Sequence, residues 1–100
     1  MAKPRSQLSE ILHGICSNVY FQPPTGTMLT YPCIIYQLDG IDVLPADNVH
    51  YGLHNRYSIT YITRDPDDAN RYTIIELPYC SFNRFYTSDN LNHYSYTIYF

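Results

Sequence analysis

Few residues in this chain could do chemistry, and their spacing favours none of the usual reactions. His50 and His54 stand at i and i+4, which on a helix face would let both imidazoles reach one ion. Their surroundings include Gly52 and read as a loop, with no third ligand close in sequence. Cys80 and His93 would make a thiol and its base across a hairpin, although a strand-buried structural cysteine is the commoner arrangement. Asp65, Asp67 and Asp68 lack the ligand spacing of a calcium loop. Cys16, Cys33 and Cys80 match no zinc or redox spacing, and neither a glycine-rich phosphate loop nor a nucleophile elbow is present. The chain therefore reads as a protein without catalytic residues, metal or cofactor.

The elements that would carry these residues centre on 54–77. From Arg56 to Arg64 the side chains alternate, with Tyr57, Ile59, Tyr61 and Thr63 on one face, the period of a half-buried strand. Asp65-Pro66-Asp67-Asp68 breaks it, because Pro66 has no amide for a ladder and biases Asp65 away from helical geometry. Asp67 and Asp68 suit the start of a helix, which should run about three turns to Pro78. That helix is apolar over much of its circumference, the pattern of a core helix or of one that also meets a second subunit.

In chain order, residues 1–5 are expected to form a loose arm. Leu8, Ile11, Leu12 and Ile15 then make an amphipathic stripe with Ser6 as its cap. A short strand at 18–21 runs into a Pro- and Gly-containing loop at 22–30. Cys33 to Leu38 is nearly all apolar, as for a central strand buried on both faces. Residues 39–53, with Gly40, Pro45 and Gly52 and no sustained period, read as a long connection. Tyr79–Thr87 and His93–Phe100 are Tyr-rich strands that close a hairpin at Ser88-Asp89-Asn90-Leu91. The order α-β-β-β-α-β-β predicts one α+β domain over residues 1–100, a mainly antiparallel sheet with two helices laid against it.

Composition narrows the partners. One hundred residues allow a single modest core. Charged residues are 15% of the chain, well below the usual quarter, while twelve are tyrosine. Tyrosine combines a large apolar face with a polar tip, so this composition suits protein–protein contact. Net charge is −3 and Lys3 is the single lysine, which disfavours phosphate-driven nucleic-acid binding. The beginning of the sequence lacks the apolar run of a signal peptide, and no stretch approaches a membrane span. The three thiols are expected to be free in a reducing cytosol.

The segments NVYFQPP (18–24), YPCIIY (31–36), ADN (46–48), RDPD (64–67) and ELPYCSFNRFYTSDNLNHYSYTIYF (76–100) resemble short tail proteins of long-tailed phages and prophages of Gram-positive hosts. LPYCSF and DNLNH are the most distinctive blocks. The resemblance covers nearly the whole chain and is to tail terminators and neighbouring neck components. It implies a homo-oligomer, a hexameric ring assembled in the host cytoplasm and carried in the virion. Such a ring caps the tail tube protein, joins it to the head–tail connector protein, and lets DNA pass through its lumen without specific binding.

Under that reading Arg56, Arg64, Arg71 and Arg84 are candidates for lateral pairs with Asp65, Asp67, Asp68 or Asp89. Pro23, Pro24, Thr25 and Gly26 of the first loop, with Asp42, Asp47, Asn48 and His50 of the 39–53 connection, are candidates for axial contacts. Three other readings stay open: a head-completion or stopper protein of the neck, a small module that binds a host protein, and a small hydrolase. The last is disfavoured because no two groups have catalytic spacing.

Overall fold

The computed structural model describes residues 3–46 and 50–100, and over 42–46 and 50–54 it describes the backbone. The elements in chain order are α1 (Arg5–Ile15), β1 (Val19–Phe21), β2 (Cys33–Ala46), β3 (His50–Thr63), α2 (Asn70–Ile75), β4 (Cys80–Ser88) and β5 (Leu91–Tyr99). They form an α+β fold in which five strands lie in the order β1-β2-β3-β5-β4. β1 pairs parallel with β2 and every other neighbouring pair is antiparallel. The last hairpin inserts β5 between β3 and β4, so β3 is the middle strand and β4 is an outer one.

The expected alternation in β3 holds from Tyr57 to Tyr61, after which Ile62, expected on the other face, is buried as well. Tyr57, Ile59, Tyr61 and Thr63 are buried, and they meet Ile34 and Tyr36 from β2 and Tyr94, Tyr96 and Ile98 from β5. Leu8, Leu12 and Ile74 join the same cluster, which places both helices on one face of the sheet. Each of these fully buried aliphatic side chains contributes about 1.5–3 kcal/mol relative to leaving it in water. Tyrosines do much of the core's work because their rings fill volume while their hydroxyls reach polar partners: Tyr36 accepts from Arg5, and Tyr96 donates to the Arg71 carbonyl.

Several expectations are corrected. Residues 39–53 are no loop where they are described: β2 and β3 stay paired from Leu38↔Tyr57 to Ala46↔His50, with a register shift between Leu38 and Gly40. The shift hides the period, and the pairing is supplied by the opposite strand rather than by local pattern. Residues 47–49 lie outside the described residues. The arm expected at 1–5 is shorter, since Arg5 already starts α1 and Lys3 sits over the Phe100 ring; residues 1 and 2 lie outside the described residues. Pro4, not Ser6, precedes α1, with the Gln7 amide donating to its carbonyl. α2 spans 6 residues rather than three turns, because the Asp65–Asp68 segment is used in turns before the helix begins. Cys33, Ile34 and Tyr36 are buried as expected, yet Leu38 is exposed and β2 is not the central strand.

Candidate functional site

The paired side chains considered as an active site are not brought together. Cys80 lies opposite Ile98 and His93 opposite Tyr86, so the thiol and the imidazole are about 17 Å apart along the ladder. Burial pushes the Cys80 thiol up to about 11, which keeps it protonated at neutral pH, and the His93 ring is stacked on Tyr86 at 4.7 Å. His50 and His54 fall in strand β3, where i and i+4 lack the one-turn proximity of a helix. Among the described residues no group of three His, Cys, Asp or Glu side chains is placed to hold an ion, and no described helix is long and apolar enough to cross a membrane.

The other candidates separate to opposite ends of the sheet. Arg64, Asp65, Asp67, Asp68 and Asp89 gather where β3 ends, α2 starts and the β4–β5 turn reverses the chain. Asp68 is the hub of this end. Its carboxylate accepts from the Tyr61 hydroxyl at 2.6 Å, the Thr63 hydroxyl at 3.0 Å and the Asn70 amide at 3.0 Å. Burial pushes the Asp68 carboxyl up, but these donors and the Arg71 guanidinium together hold it below its ordinary value. Asp65 accepts from the Asp67 amide and closes the turn. Asp65 and Asp68 are thus occupied within the chain, while Asp67 and Asp89 are exposed.

Every candidate arginine also has a partner in its own chain. Arg56 forms an ion pair with Asp39 at 3.1 Å; Arg64 lies over the Tyr31 ring and Arg84 over Tyr86. Arg71 donates to the Pro66 carbonyl and to the hydroxyls of Tyr94 at 3.0 Å and Tyr72 at 3.1 Å. Such contacts leave a guanidinium with donors to spare.

At the other end, the loop after β1 and the β2–β3 hairpin emerge side by side, since β1 runs parallel to β2. Pro24 accepts from both the amide and the hydroxyl of Thr27, and Gly26 takes a φ of +87° that favours glycine. The Gln22 side chain caps the Leu38 amide, so this loop is tied to the base of the hairpin. Asp42 and His50 lie in its strands, and Asp47 and Asn48 lie outside the described residues. Pairing with β5 ends at Arg56↔Tyr99. Beyond it the hairpin continues from Ile41↔Asn55 to Ala46↔His50, about 20 Å at the rise of a strand, as an arm whose base is held by two backbone hydrogen bonds between Asn55 and Phe100. The long axis of 50 Å against 26 and 22 Å reflects it.

Comparison with protein-family models, curated proteins and solved structures finds no match to this chain.

The feature that sequence reasoning missed is the open flank of the sheet. Among the described residues β4 has a neighbour on one side only, and all of it after Cys80 is exposed. Phe82 and Phe85 are 47% and 50% exposed although they rest on Tyr96 and Tyr94 at 5.5 and 5.0 Å. Asn83 is extra in the ladder, and this bulge puts Phe82 and Phe85 on the same face despite their odd spacing. Strict alternation would place them on opposite faces, which is why no pattern announced the patch. Between β4 and α2 runs a groove of about 350 Å³, lined by Arg71, Tyr72, Ile75, Phe82, Tyr94 and Tyr96. Among the described residues this lining brings no reacting pair of groups together and is mostly aromatic and aliphatic.

Proposed function

We propose that this chain is a structural ring subunit of the neck of a long-tailed phage, a tail terminator that caps the tail tube and joins it to the head connector. The observation that carries the reading is the uncovered edge strand β4, with Phe82, Phe85 and Tyr86 partly bare on a strand whose outer backbone groups have no strand partner among the described residues. Proteins that work alone blunt such edges with charged residues, proline, bulges or a covering element. β4 has Arg84 as its one charged residue and a single bulge, with no proline, over nine residues. A subunit that is covered on assembly needs little more protection than that.

The second support is polarity. The arm and the 22–30 loop project from one end of the sheet, and the Asp65–Asp68 and Asp89 turns occupy the other. A ring subunit must present different surfaces to a tube and to a connector, and a head-to-tail interface uses two different patches of each copy. The low charge of the chain, −3 per copy, is suited to a lumen through which DNA slides, because binding DNA requires cations that displace its counterions.

Electron microscopy of particles from a phage or prophage lacking this gene tests the assignment. Tails of uncontrolled length, unattached to filled heads, are expected. Normal tails beside detached or leaking heads would move the assignment to a head-completion protein, and intact virions would remove both.

A further inference from the structure

We propose that the occupant of the open β4 edge is the β2–β3 arm of a second copy of this chain, laid along β4 and over the groove beside α2. The inference rests on the ring reading and gives that ring its lateral contact.

Two incomplete ribbons in the same molecule motivate it. β4 is nine residues long and lacks a neighbour on its outer side among the described residues. Beyond the two backbone hydrogen bonds that Asn55 exchanges with Phe100, the arm, from Asp42 to Ala46 and from His50 to His54, is paired with no third strand among the described residues. A lone two-stranded ribbon is marginal in water, and a third strand or a packing face is what makes it stable. Each element therefore needs what the other provides, and main-chain pairing along an exposed edge is a standard way for extended segments to bind.

The two also differ in charge. The sequence from Ile41 to Asn55 contains Asp42 and Asp47 and neither lysine nor arginine. The sequence from Tyr79 to Ser88 contains Arg84 and no acid, and Arg71 stands at the groove beside it. Opposite charge favours arm against edge over edge against edge or arm against arm. Geometry agrees: the arm leaves the sheet past Arg56↔Tyr99, the end at which β4 begins at Cys80↔Ile98, and it extends about 20 Å beyond it. An arm that reaches outward cannot fold back on its own β4, whereas a neighbouring copy can receive it. Arm onto edge is a heterologous contact, which propagates around a ring instead of stopping at a pair.

Two half-competent variants test this. In the first, residues 42–54 are replaced by an Asn-Gly turn, which removes the arm and keeps the edge. In the second, Phe82→Glu and Phe85→Glu repel an acidic arm and keep the arm itself. Circular dichroism checks that each is folded; Phe82→Ser with Phe85→Ser is the milder edge variant if the glutamates unfold the chain. Sedimentation of the intact protein is expected to show self-association, weakened roughly 100-fold or more in either variant alone. Mixing the two variants is the decisive measurement: the arm of the second should dock on the edge of the first and stop there, giving a 1:1 complex. Association of the first variant with itself would show edge-to-edge pairing and overturn the proposal. Unchanged assembly of both variants, or an intact protein that stays monomeric at every concentration, would overturn it as well. Those results leave the ring reading to be judged by tail length in the deleted phage.

Discussion

The hydroxyl of Tyr61 donates to the carboxylate of Asp68 across 2.6 Å, and this bond ties the end of the middle strand to the turn that begins the second helix. Tyr61 is fully buried, so its hydroxyl has no water to turn to if the carboxylate is removed. The Asn70 side chain donates to the same hydroxyl at 3.3 Å, and the Asp65 amide donates to the Thr63 hydroxyl at 3.2 Å. The network fixes the path from β3 into α2, and with it Ile74 in the core and Tyr72 at the groove.

Tyr61→Phe should therefore cost about 1–2 kcal/mol, a buried hydrogen bond lost with little change of shape. Asp68→Ala should cost more, about 2–3 kcal/mol, because it strands the donors of Tyr61, Thr63 and Asn70. Chemical denaturation of the two single variants and the double variant should give a double-mutant loss smaller than the sum of the singles. Strict additivity would show that the two residues do not act together.

Acid should loosen the same corner. The Asp68 carboxyl is held below its ordinary value of 3.8, the Tyr61, Asn70 and Thr63 donors and Arg71 outweighing the opposing effect of burial. A depressed carboxyl stabilises the fold above the unfolded value, and the stabilisation disappears as pH falls through that value toward the folded one. The denaturant midpoint should fall below about pH 5, with a shallower fall in Asp68→Asn. Equal slopes in the two proteins would remove Asp68 from the account.

Alkali should act through the buried thiols and phenols. Burial raises Cys33 and Cys80 from 9.0 to about 11, with Cys16 adding to the effect at Cys33, and it raises Tyr57, Tyr61 and Tyr96 in the same direction. A raised group stabilises the fold below its unfolded value and ceases to as pH rises toward its folded value. Stability should decline from pH 9 upward, and Cys80→Ala should decline less between pH 9 and 11. A pH-independent midpoint across that interval would contradict the burial of these groups.

The β4–β5 turn offers a test independent of the core. Asp89 and Asn90 both have positive φ, 54° and 62°, the geometry of a two-residue type I′ hairpin that glycine and asparagine tolerate. Asn90→Gly should leave thermal stability unchanged or raise it by up to about 1 kcal/mol, and Asn90→Val should lower it by about 1–2 kcal/mol. Equal melting temperatures for the two would exclude this turn.

Much of the fold was legible because local pattern and final environment agree where a strand has one buried face. Tyr57, Ile59, Tyr61 and Thr63 alternate in sequence and are buried in the structure; Tyr94, Tyr96 and Ile98 do the same, and Leu8 and Leu12 keep helical spacing. The arm was not legible. Past Asn55 it meets no third strand among the described residues, its register is shifted between Leu38 and Gly40, and Gly40 and Pro45 carry the marks of a connection. The Gly40 position also packs closely on the Arg56 side chain, a Cβ there lying 2.7 Å from Nη2, a constraint that exists only once β2 and β3 have paired. The patch on β4 was hidden by one residue, Asn83, whose insertion realigns Phe82 and Phe85.

The sequence by itself determined which segments become strands and helices around the core, the break at Asp65–Asp68, and the turn at Asp89-Asn90, because each depends on residues within one turn or one strand of each other. Tertiary structure decided that β5 lies between β3 and β4, that β4 is left open beside a groove among the described residues, and that residues 41–46 and 50–55 pair as a projecting ribbon. These depend on which strand pairs with which, and pairing is set by contacts between residues far apart in the chain.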